Sequence, residues 1–382
     1  MFLYYLPIFA MKHPIISKIV GVNWLKLFFL GTILSFILFS ALAADDYKPT
    51  LYNLTYPSYF GNRFSIPSDN PLTNEGIYLG RKLFYETRLS ANRKISCASC
   101  HKQEKAFSDD RVGSIGVDGS VTERNSMAIV NLLWARKFFW DGRAIGLEQQ
   151  AAIPLANPHE MGQSAALSAV ILRKIKGYPY LFKHAFGDTA ITADRIVKAI
   201  AQFERTLISA DSPYDKYLRN EYSPSQIELE GMGLFMTAPQ PGKGIRGANC
   251  AHCHGGEKSY LEMFHNNGLD SIYKDAGIQL LTGFETDHGR FKAPTLRNIA
   301  LTAPYMHDGR FSSLEKVLDH YNGPLHPHHL SSFLKGSSNN EGGLTLGLTN
   351  KEKMAIVSFL HMLTDSSFVK NPAFSDPNKE TN

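Results

Sequence analysis

Two short stretches of the chain repeat the same arrangement of two thiols and an imidazole. Residues 95–102 read ISCASCHK and residues 249–256 read NCAHCHGG, so that each cysteine recurs 153 positions later. All four cysteines of the 382-residue chain lie in these stretches, and each pair is followed directly by a histidine. The spacing C-x-x-C-H limits the chemistry to that of a zinc site, a thiol redox centre or a covalently attached haem.

The sequence favours one of these three kinds of site. A zinc site places its second cysteine pair within about 15–20 residues of the first, and a redox C-x-x-C motif gives the histidine no role. In a c-type haem site the thiols form thioethers with the haem vinyl groups, and the next imidazole binds the iron. We therefore predict two covalently bound c-type haems, held by Cys97, Cys100 and His101 and by Cys250, Cys253 and His254.

The N-terminal residues predict the export that haem attachment of this type requires. Residues 27–43, LFFLGTILSFILFSALA, form an uncharged apolar run that follows three lysines and ends in an A-x-A pattern at Ala41 and Ala43. This pattern is typical of a secretory signal peptide. We therefore predict a signal peptide at residues 1–43 and a periplasmic protein. An uncleaved membrane anchor is the alternative, because 17 apolar residues approach the length of a spanning helix.

The charge of the chain excludes one class of partner. Removing residues 1–43 removes three lysines and no acidic residue, which lowers the formal net charge from +5 to +2. This near-neutral balance argues against nucleic acid. It leaves room for a local patch at which a small redox protein docks.

The length and the internal repeat predict two domains. Each C-x-x-C-H is preceded by a glycine and an apolar turn, GRKLF at residues 80–84 and GMGLF at residues 231–235, which indicates a helix leading to each haem. Helical periodicity also marks residues 193–208, 313–321 and 349–363, the last with a capping box formed by Thr349 and Glu352. We predict a mostly α fold of two cytochrome-c-like domains, residues 44–218 and 219–382, with a polar seam at residues 209–226.

The order of several longer motifs identifies a family. The stretches ISCASCH, AFSDDR, NSM, FFWDGRA, NCAHCH and APTLRNIALTAPYMHDGRFSSLEKVLDHY follow one another as in the bacterial di-haem cytochrome c peroxidases and their relative MauG. The resemblance covers residues 74–363. It implies a peroxidase that reduces hydrogen peroxide with electrons from a small cytochrome c or cupredoxin, and it allows a homodimer.

The resemblance also implies roles for four residues around the first haem. The family's tryptophan between the haems matches Trp140, which would relay electrons; the alternative is a core aromatic residue. The family's oxygen-binding pocket matches Gln150, Pro154 and Glu160. Cleavage of peroxide needs a proton to move from one oxygen to the other, so Glu160 is the candidate acid and base. A surface glutamate is the alternative for Glu160, and His159 is a weaker substitute in the same role.

A calcium ion between the domains is a further implication of the resemblance. The matching positions are Asn125, which would offer its side-chain oxygen, and Thr302 and Pro304, which would act through their backbone carbonyls. Oxygen atoms of this kind are the ligands that calcium prefers. Without the resemblance these three residues are only turn formers.

The chain departs from the peroxidases at both haems and resembles MauG there. No histidine lies between Lys102 and Pro158, where peroxidases carry a histidine that caps the first haem. We therefore expect an open sixth position on that iron, as in MauG, unless His159 or a residue from elsewhere in the chain reaches it. Fourteen residues after His307, where peroxidases have a methionine ligand, this chain has Tyr321. A phenolate lowers the reduction potential. The alternatives are a core tyrosine with Met354, Met362 or His320 as the ligand.

These observations predict a periplasmic di-haem peroxidase in which the second haem supplies electrons through Trp140. One alternative is a MauG-like oxidase that matures a protein substrate by long-range electron removal. The other is a di-haem electron carrier without chemistry of its own, in which Glu160 would be dispensable.

Overall fold

The computed structural model describes residues 48–343 and 345–378, and the described residues from Pro49 onward form one compact unit. The predicted signal segment lies outside the described residues. The described part is mostly helical. Its α-helices are α1 (Asn74–Phe84), α2 (Cys97–Cys100), α3 (Leu147–Ala156), α4 (Ala165–Leu172), α5 (Tyr178–Phe186), α6 (Ala193–Arg205), α7 (Pro213–Leu218), α8 (Gln226–Met236), α9 (Ala251–His254), α10 (Gln279–Thr282), α11 (Leu314–Asn322), α12 (Ser332–Lys335), α13 (Asn350–His361) and α14 (Ser366–Lys370).

Strands are few and short in the described residues. β1 (Lys137–Phe138) pairs antiparallel with β2 (Ala144–Ile145), and β3 (Phe264–His265) pairs antiparallel with β4 (Phe291–Lys292). Short 3-10 helices connect the other elements. Within residues 48–343 and 345–378, no helix combines the length and apolar character that a membrane span needs. The mostly α prediction is confirmed.

The repeated glycines before each haem motif mark two equivalent helix crossings. Gly80 on α1 lies so close to α6 that an added Cβ would stand 1.9 Å from the carbonyl oxygen of Ala199. Gly231 on α8 has the same relation to α13, where a Cβ would stand 1.8 Å from the carbonyl oxygen of Ala355. Each crossing needs a residue without a side chain, because backbone meets backbone. The helices predicted before each C-x-x-C-H are therefore present, and the glycine of each allows close contact with the helix that crosses it.

Local sequence signals explain where the crossing helices begin. Helix α13 starts with the predicted capping box, in which the Thr349 hydroxyl accepts from the Glu352 amide and the Glu352 carboxylate accepts from the Thr349 amide. In α6 the hydroxyl of Thr192 accepts from the amide of Arg195. The three helices predicted from periodicity are confirmed within a few residues.

Each crossing sits in its own apolar core. One core contains Leu79 and Leu83 of α1 with Ile196 and Ile200 of α6. The other contains Leu234 and Phe235 of α8 together with residues of α13. Because the two C-x-x-C-H motifs follow α1 and α8, each motif is fixed beside one of these cores.

The polar seam predicted at residues 209–226 is more ordered than its composition indicates. It contains helix α7, and Asp215 on this helix is completely buried in an ion pair with Arg297, which is equally buried. Arg297 also donates to the carbonyl of Glu257. A buried pair of this kind is strongly destabilised when either partner is lost. The seam therefore ties the two halves together, and the predicted domain boundary after Leu218 stays a prediction.

Candidate active site at two C-x-x-C-H motifs

The first motif is held by the loop that follows it. Cys97 and Cys100 lie on the single turn α2, and His101 ends that turn. The Nδ1 atom of His101 is 2.8 Å from the carbonyl oxygen of Phe107, so Nδ1 carries the proton and donates it. The Nε2 atom is thereby left with its lone pair free, as an axial iron ligand requires.

The second motif has the same arrangement with a different partner. The Nδ1 atom of His254 is 2.9 Å from the carbonyl oxygen of Pro294, forty residues further along the chain. Cys250, Cys253 and His254 line a cavity of about 220 Å³ whose walls are mainly apolar side chains. Free thiols, an oriented imidazole and an apolar cavity fit a covalently bound haem.

Burial keeps the four thiols neutral. It raises the pKa of Cys250 to about 12 and that of Cys253 to about 11. Burial also raises the pKa of Cys97 and Cys100. A thiol redox centre needs a thiolate. Within the described ranges, no cluster of three or more His, Cys, Asp or Glu is arranged to hold a metal ion, so the two cysteine pairs do not form one zinc site.

Helix α3 and the turn after it bring together the three residues of the expected peroxide pocket. Gln150 and Pro154 are one turn apart on α3, and Pro154 has no N–H to donate to the Gln150 carbonyl. Glu160 is half-buried in the following turn, where its Oε1 atom accepts from the Asn157 side chain at 2.7 Å. After burial, Glu204 and Cys100, the charge of Glu160 also raises the pKa of Cys97. Glu160 therefore lies within electrostatic range of the first C-x-x-C motif.

A hairpin occupies the stretch that replaces the capping histidine of the peroxidases. Ile115 and Val121 pair across it, and the amide of Val117 at its tip donates to the Glu160 carbonyl at 2.9 Å. The His159 ring is 68% exposed and lies 2.8 Å from the Asp118 carboxylate. His159 is thus held at the surface by the hairpin, which argues against a role as the sixth ligand or as the catalytic acid.

Trp140 lies where the two halves meet. Its indole Nε1 atom donates to the carbonyl of Asn125 at 2.8 Å, and its own carbonyl accepts from the amide of Lys292 at 2.7 Å. The side chain also lines the cavity of the second motif. A tryptophan in this position contacts both halves, as an electron relay between them must.

The three residues expected to hold calcium line that same cavity. Asn125, Thr302 and Pro304 come from both halves of the chain. The Nδ2 atom of Asn125 donates to the Arg111 carbonyl at 2.9 Å, which leaves its side-chain oxygen available. The peptide bond between Ala303 and Pro304 is cis. Oxygen donors without a carboxylate suit a hard cation, so the calcium assignment stays an expectation that the geometry allows.

Tyr321 reaches the second cavity from helix α11. It lines the cavity with Cys250, Cys253 and His254. Burial raises the pKa of Tyr321 to about 12, while a hydrogen bond with the Asn267 side chain lowers it. Without a cation beside it, this phenol therefore keeps its proton at neutral pH. An iron in the cavity would supply the positive charge that stabilises the phenolate.

The alternative ligands of the second haem lie in positions that suit an iron ligand less well than the position of Tyr321. Met354 is exposed on α13, and Met362 packs in the core of the C-terminal half. The Nε2 atom of His320 is 3.1 Å from the carbonyl of Asn267, which occupies the nitrogen that would face a metal. The geometry therefore favours Tyr321 over all three.

Sequence reasoning missed several groups of this site. The carbonyls of Phe107 and Pro294 orient the two histidines, and Asn267 supports Tyr321. Phe107 and Pro294 lie in quoted motifs, but a backbone acceptor has no signature in the residue type. Glu204, the strongest charge near Cys97, lies within a helix predicted only from its periodicity.

Comparison with known proteins agrees with this site. Residues 74–223 match the family model described as di-haem cytochrome c peroxidase. The MauG protein of Methylophilus methylotrophus is 32% identical over 81% of this chain and 89% of its own length. The cytochrome c551 peroxidase of Nitrosomonas europaea is 38% identical over 66% of this chain and 75% of its own.

A solved structure supports the same conclusion. A MauG-like protein associated with microbial copper homeostasis is 36% identical and covers 85% of this chain and 99% of its own, with a TM-score of 0.75. The family model, the curated relatives and the fold therefore agree. The chain belongs to the family of di-haem cytochrome c peroxidases and MauG proteins.

Proposed function

We propose that the protein is a periplasmic di-haem peroxidase that reduces hydrogen peroxide to water at the first haem. Membership of the family implies two c-type haems. When bound, they would supply the iron redox chemistry that cleaves the oxygen–oxygen bond. The observation that carries the proposal is the position of Glu160, which follows the helix of Gln150 and Pro154 and whose charge acts on Cys97 of the first C-x-x-C motif.

Glu160 would move the proton that peroxide cleavage requires. Its Oε1 atom is held by Asn157 at 2.7 Å, and its backbone carbonyl is held by Val117. The side chain is therefore fixed but retains a second oxygen to take a proton from one peroxide oxygen and give it to the other. Gln150, one turn before Pro154, would orient the peroxide with its amide.

Trp140 would carry electrons from the second haem to the first. Its indole is fixed by Asn125 in the N-terminal half, and its backbone is fixed by Lys292 in the C-terminal half. A small cytochrome c or cupredoxin would supply electrons to the second haem. A calcium ion at Asn125, Thr302 and Pro304 would hold the same junction.

An electron paramagnetic resonance spectrum of the resting ferric protein tests this proposal. We expect one high-spin and one low-spin haem, because His159 is bound to Asp118 at the surface and leaves the first iron open. Peroxide turnover should then start without a lag. Two low-spin signals at rest, with no peroxide turnover before or after partial reduction, would overturn the proposal and would indicate a plain electron carrier. Two low-spin signals with activity only after partial reduction would overturn the open position on the first iron.

A second candidate function is a MauG-like oxidase that matures a protein substrate. The observation in its favour is Tyr321 in the second cavity, because a phenolate disfavours storage of a ferrous electron. Relatives named MauG and relatives named peroxidase are similarly close. Steady-state peroxide turnover with a reduced cytochrome as donor separates the two: a peroxidase oxidises the donor in proportion to peroxide, whereas an oxidase of this type does so poorly.

A further inference from the structure

Glu204 is a buried carboxyl group to which neither the family resemblance nor the proposed mechanism assigns a role. It lies near the end of helix α6, is 4% exposed, and its Oε2 atom has no hydrogen-bond partner. The neighbouring Arg205 pairs with a different carboxylate, since its guanidinium donates to Glu148 on α3 at 2.9 Å. Buried polar groups are nearly always hydrogen-bonded, so this bare oxygen needs an explanation.

Glu204 lies beside the first haem motif. The preceding residue, Phe203, packs in one apolar cluster with Phe107 and Cys97. After burial, the charge of Glu204 is the strongest influence that raises the pKa of the Cys97 thiol, ahead of Glu160. The carboxyl group is therefore close to the edge at which the first haem would be attached.

The surroundings of Glu204 favour its protonated form. Burial raises its pKa to about 8; Arg205 lowers the pKa and Glu148 raises it, so that burial prevails. A haem beside it would exclude water further. Glu86 shows that burial alone does not have this effect: it is almost as buried, but hydrogen bonds from Arg88 and Tyr178 hold its pKa below the usual value.

We infer that Glu204 is a proton-linked group of the first haem, which binds a proton when that haem takes up an electron and releases it when the haem is oxidised. The inference rests on haem attachment at Cys97 and Cys100, not on peroxide turnover. Reduction adds one negative charge near a carboxyl group in a low-dielectric site, and this charge opposes ionisation of the acid. The electron comes from the small redox donor and the proton from solvent, so charge is balanced. The charged groups that face Glu204 are Arg205, Glu148 and, beyond Cys97, Glu160.

A redox titration of the complete di-haem protein from about pH 6 to about pH 10 tests the inference. In the wild type the midpoint potential of the first haem should fall with rising pH in a step near pH 8, because the oxidised form loses the Glu204 proton first. Glu204→Gln should remove the step and leave the potential at pH 6 unchanged, since both side chains are neutral there. Glu204→Asp should retain a step.

Glu86→Gln is the matched control, because it neutralises another buried glutamate of the same half. It should leave the pH dependence unchanged. An identical pH dependence in wild type and Glu204→Gln would overturn the inference, as would a raised potential of Glu204→Gln at pH 6. The titration needs no peroxide. A lack of peroxidase activity would therefore refute the proposed function, and the titration would still decide the role of Glu204.

Discussion

The two halves of the molecule share their scaffold and differ in the candidate residues that they present beside their C-x-x-C-H motifs. In both, a glycine lets two helices cross with their backbones in contact, and a carbonyl group fixes the histidine of C-x-x-C-H. The first half then presents Glu160 beside its motif, whereas the second presents Tyr321. In the proposed mechanism the first half uses a proton-transfer group, Glu160, and the second half uses an iron ligand, Tyr321.

This difference shows that two halves with a common scaffold can carry different candidate functional residues. The parts that hold the haem are common, because they satisfy the same needs of packing and histidine orientation. The residues proposed to decide reactivity lie on different elements: helix α3 and its turn in the first half, and helix α11 in the second. Each of the following predictions alters one half and leaves the other as its reference.

Glu160→Gln should produce the largest effect. It removes the proton-transfer group of the first half, and turnover of peroxide should fall by at least about a hundredfold, the lower end of what a positioned acid and base contributes. Both haems and their spin states should stay as in the wild type. His159→Gln is the control at the neighbouring exposed position and should keep normal turnover; a loss as large as that of Glu160→Gln would transfer the role to His159.

Replacement of Tyr321 should change the second haem and spare the first. Tyr321→Met should raise the second haem's potential and favour ordinary peroxidase behaviour, because a thioether stabilises ferrous iron. Tyr321→Phe should leave that iron five-coordinate or water-bound. A redox titration with spectra of the resting state measures both effects. If the potential and the low-spin signal are unchanged in both variants, Tyr321 is a core residue and another side chain is the ligand.

The close helix crossing that both halves share can be disrupted by a substitution at its glycine. Gly80→Ala and Gly231→Ala each place a Cβ less than 2 Å from a backbone carbonyl oxygen. We expect each to lower the free energy of unfolding by about 1–3 kcal/mol, the usual cost of overpacking. Gly233→Ala, two residues away on α8 with nothing within 4 Å of the added Cβ, should be neutral or stabilising by up to about 1 kcal/mol. Denaturant unfolding distinguishes them, and equal stabilities of the Gly231 and Gly233 variants would contradict the crossing.

The smallest expected effect concerns the ion pair between Arg246 and Glu352 at the start of helix α13. A hydrogen bond from Arg246 holds the pKa of Glu352 at about 2. An unfolded glutamate titrates near pH 4.3, so this stabilisation is complete above that pH and is lost as the pH falls through about 2. The Arg246 side chain is 41% exposed, so we expect less than about 1 kcal/mol.

Thermal melts of Glu352→Gln at neutral and acidic pH measure this contribution. The variant should be less stable than the wild type at pH 7, and the difference should shrink as the pH falls. Glu230→Gln, which changes a surface partner of Lys351, is the control and should show little difference at either pH. A constant gap between Glu352→Gln and wild type at all pH values would assign the effect to lost helix capping alone.

Much of the scaffold is predictable from the sequence because it depends on short-range patterns. The histidine next to the second cysteine of each pair indicates haem, and the periodicity of residues 193–208 and 349–363 predicts the helices that cross α1 and α8. Helix α3 is harder to predict, since Pro154 interrupts its hydrogen bonding and its apolar residues are not confined to one face.

The details that decide the chemistry are less predictable, because they depend on contacts between distant residues. The carbonyl of Pro294 meets His254 only after forty residues of irregular chain have folded back. Glu204 would be taken for a solvent-exposed residue of an amphipathic helix, but α6 is packed against several helices and buries it. The resemblance identifies Glu160 and Tyr321 as candidates, and their positions beside the two motifs come only from the fold.

The buried ion pair between Asp215 and Arg297 stabilises the fold and also holds two segments of the chain at a fixed distance from each other. Electron tunnelling slows steeply with every added ångström between donor and acceptor, so a di-haem protein whose halves rocked against each other would have a fluctuating rate. Asp215 lies on the segment that joins the halves, and Arg297 lies in the stretch after Pro294, whose carbonyl holds His254. The pair therefore fixes the connecting segment to the stretch that orients His254. In the proposed mechanism it would keep constant the distance across which Trp140 relays electrons.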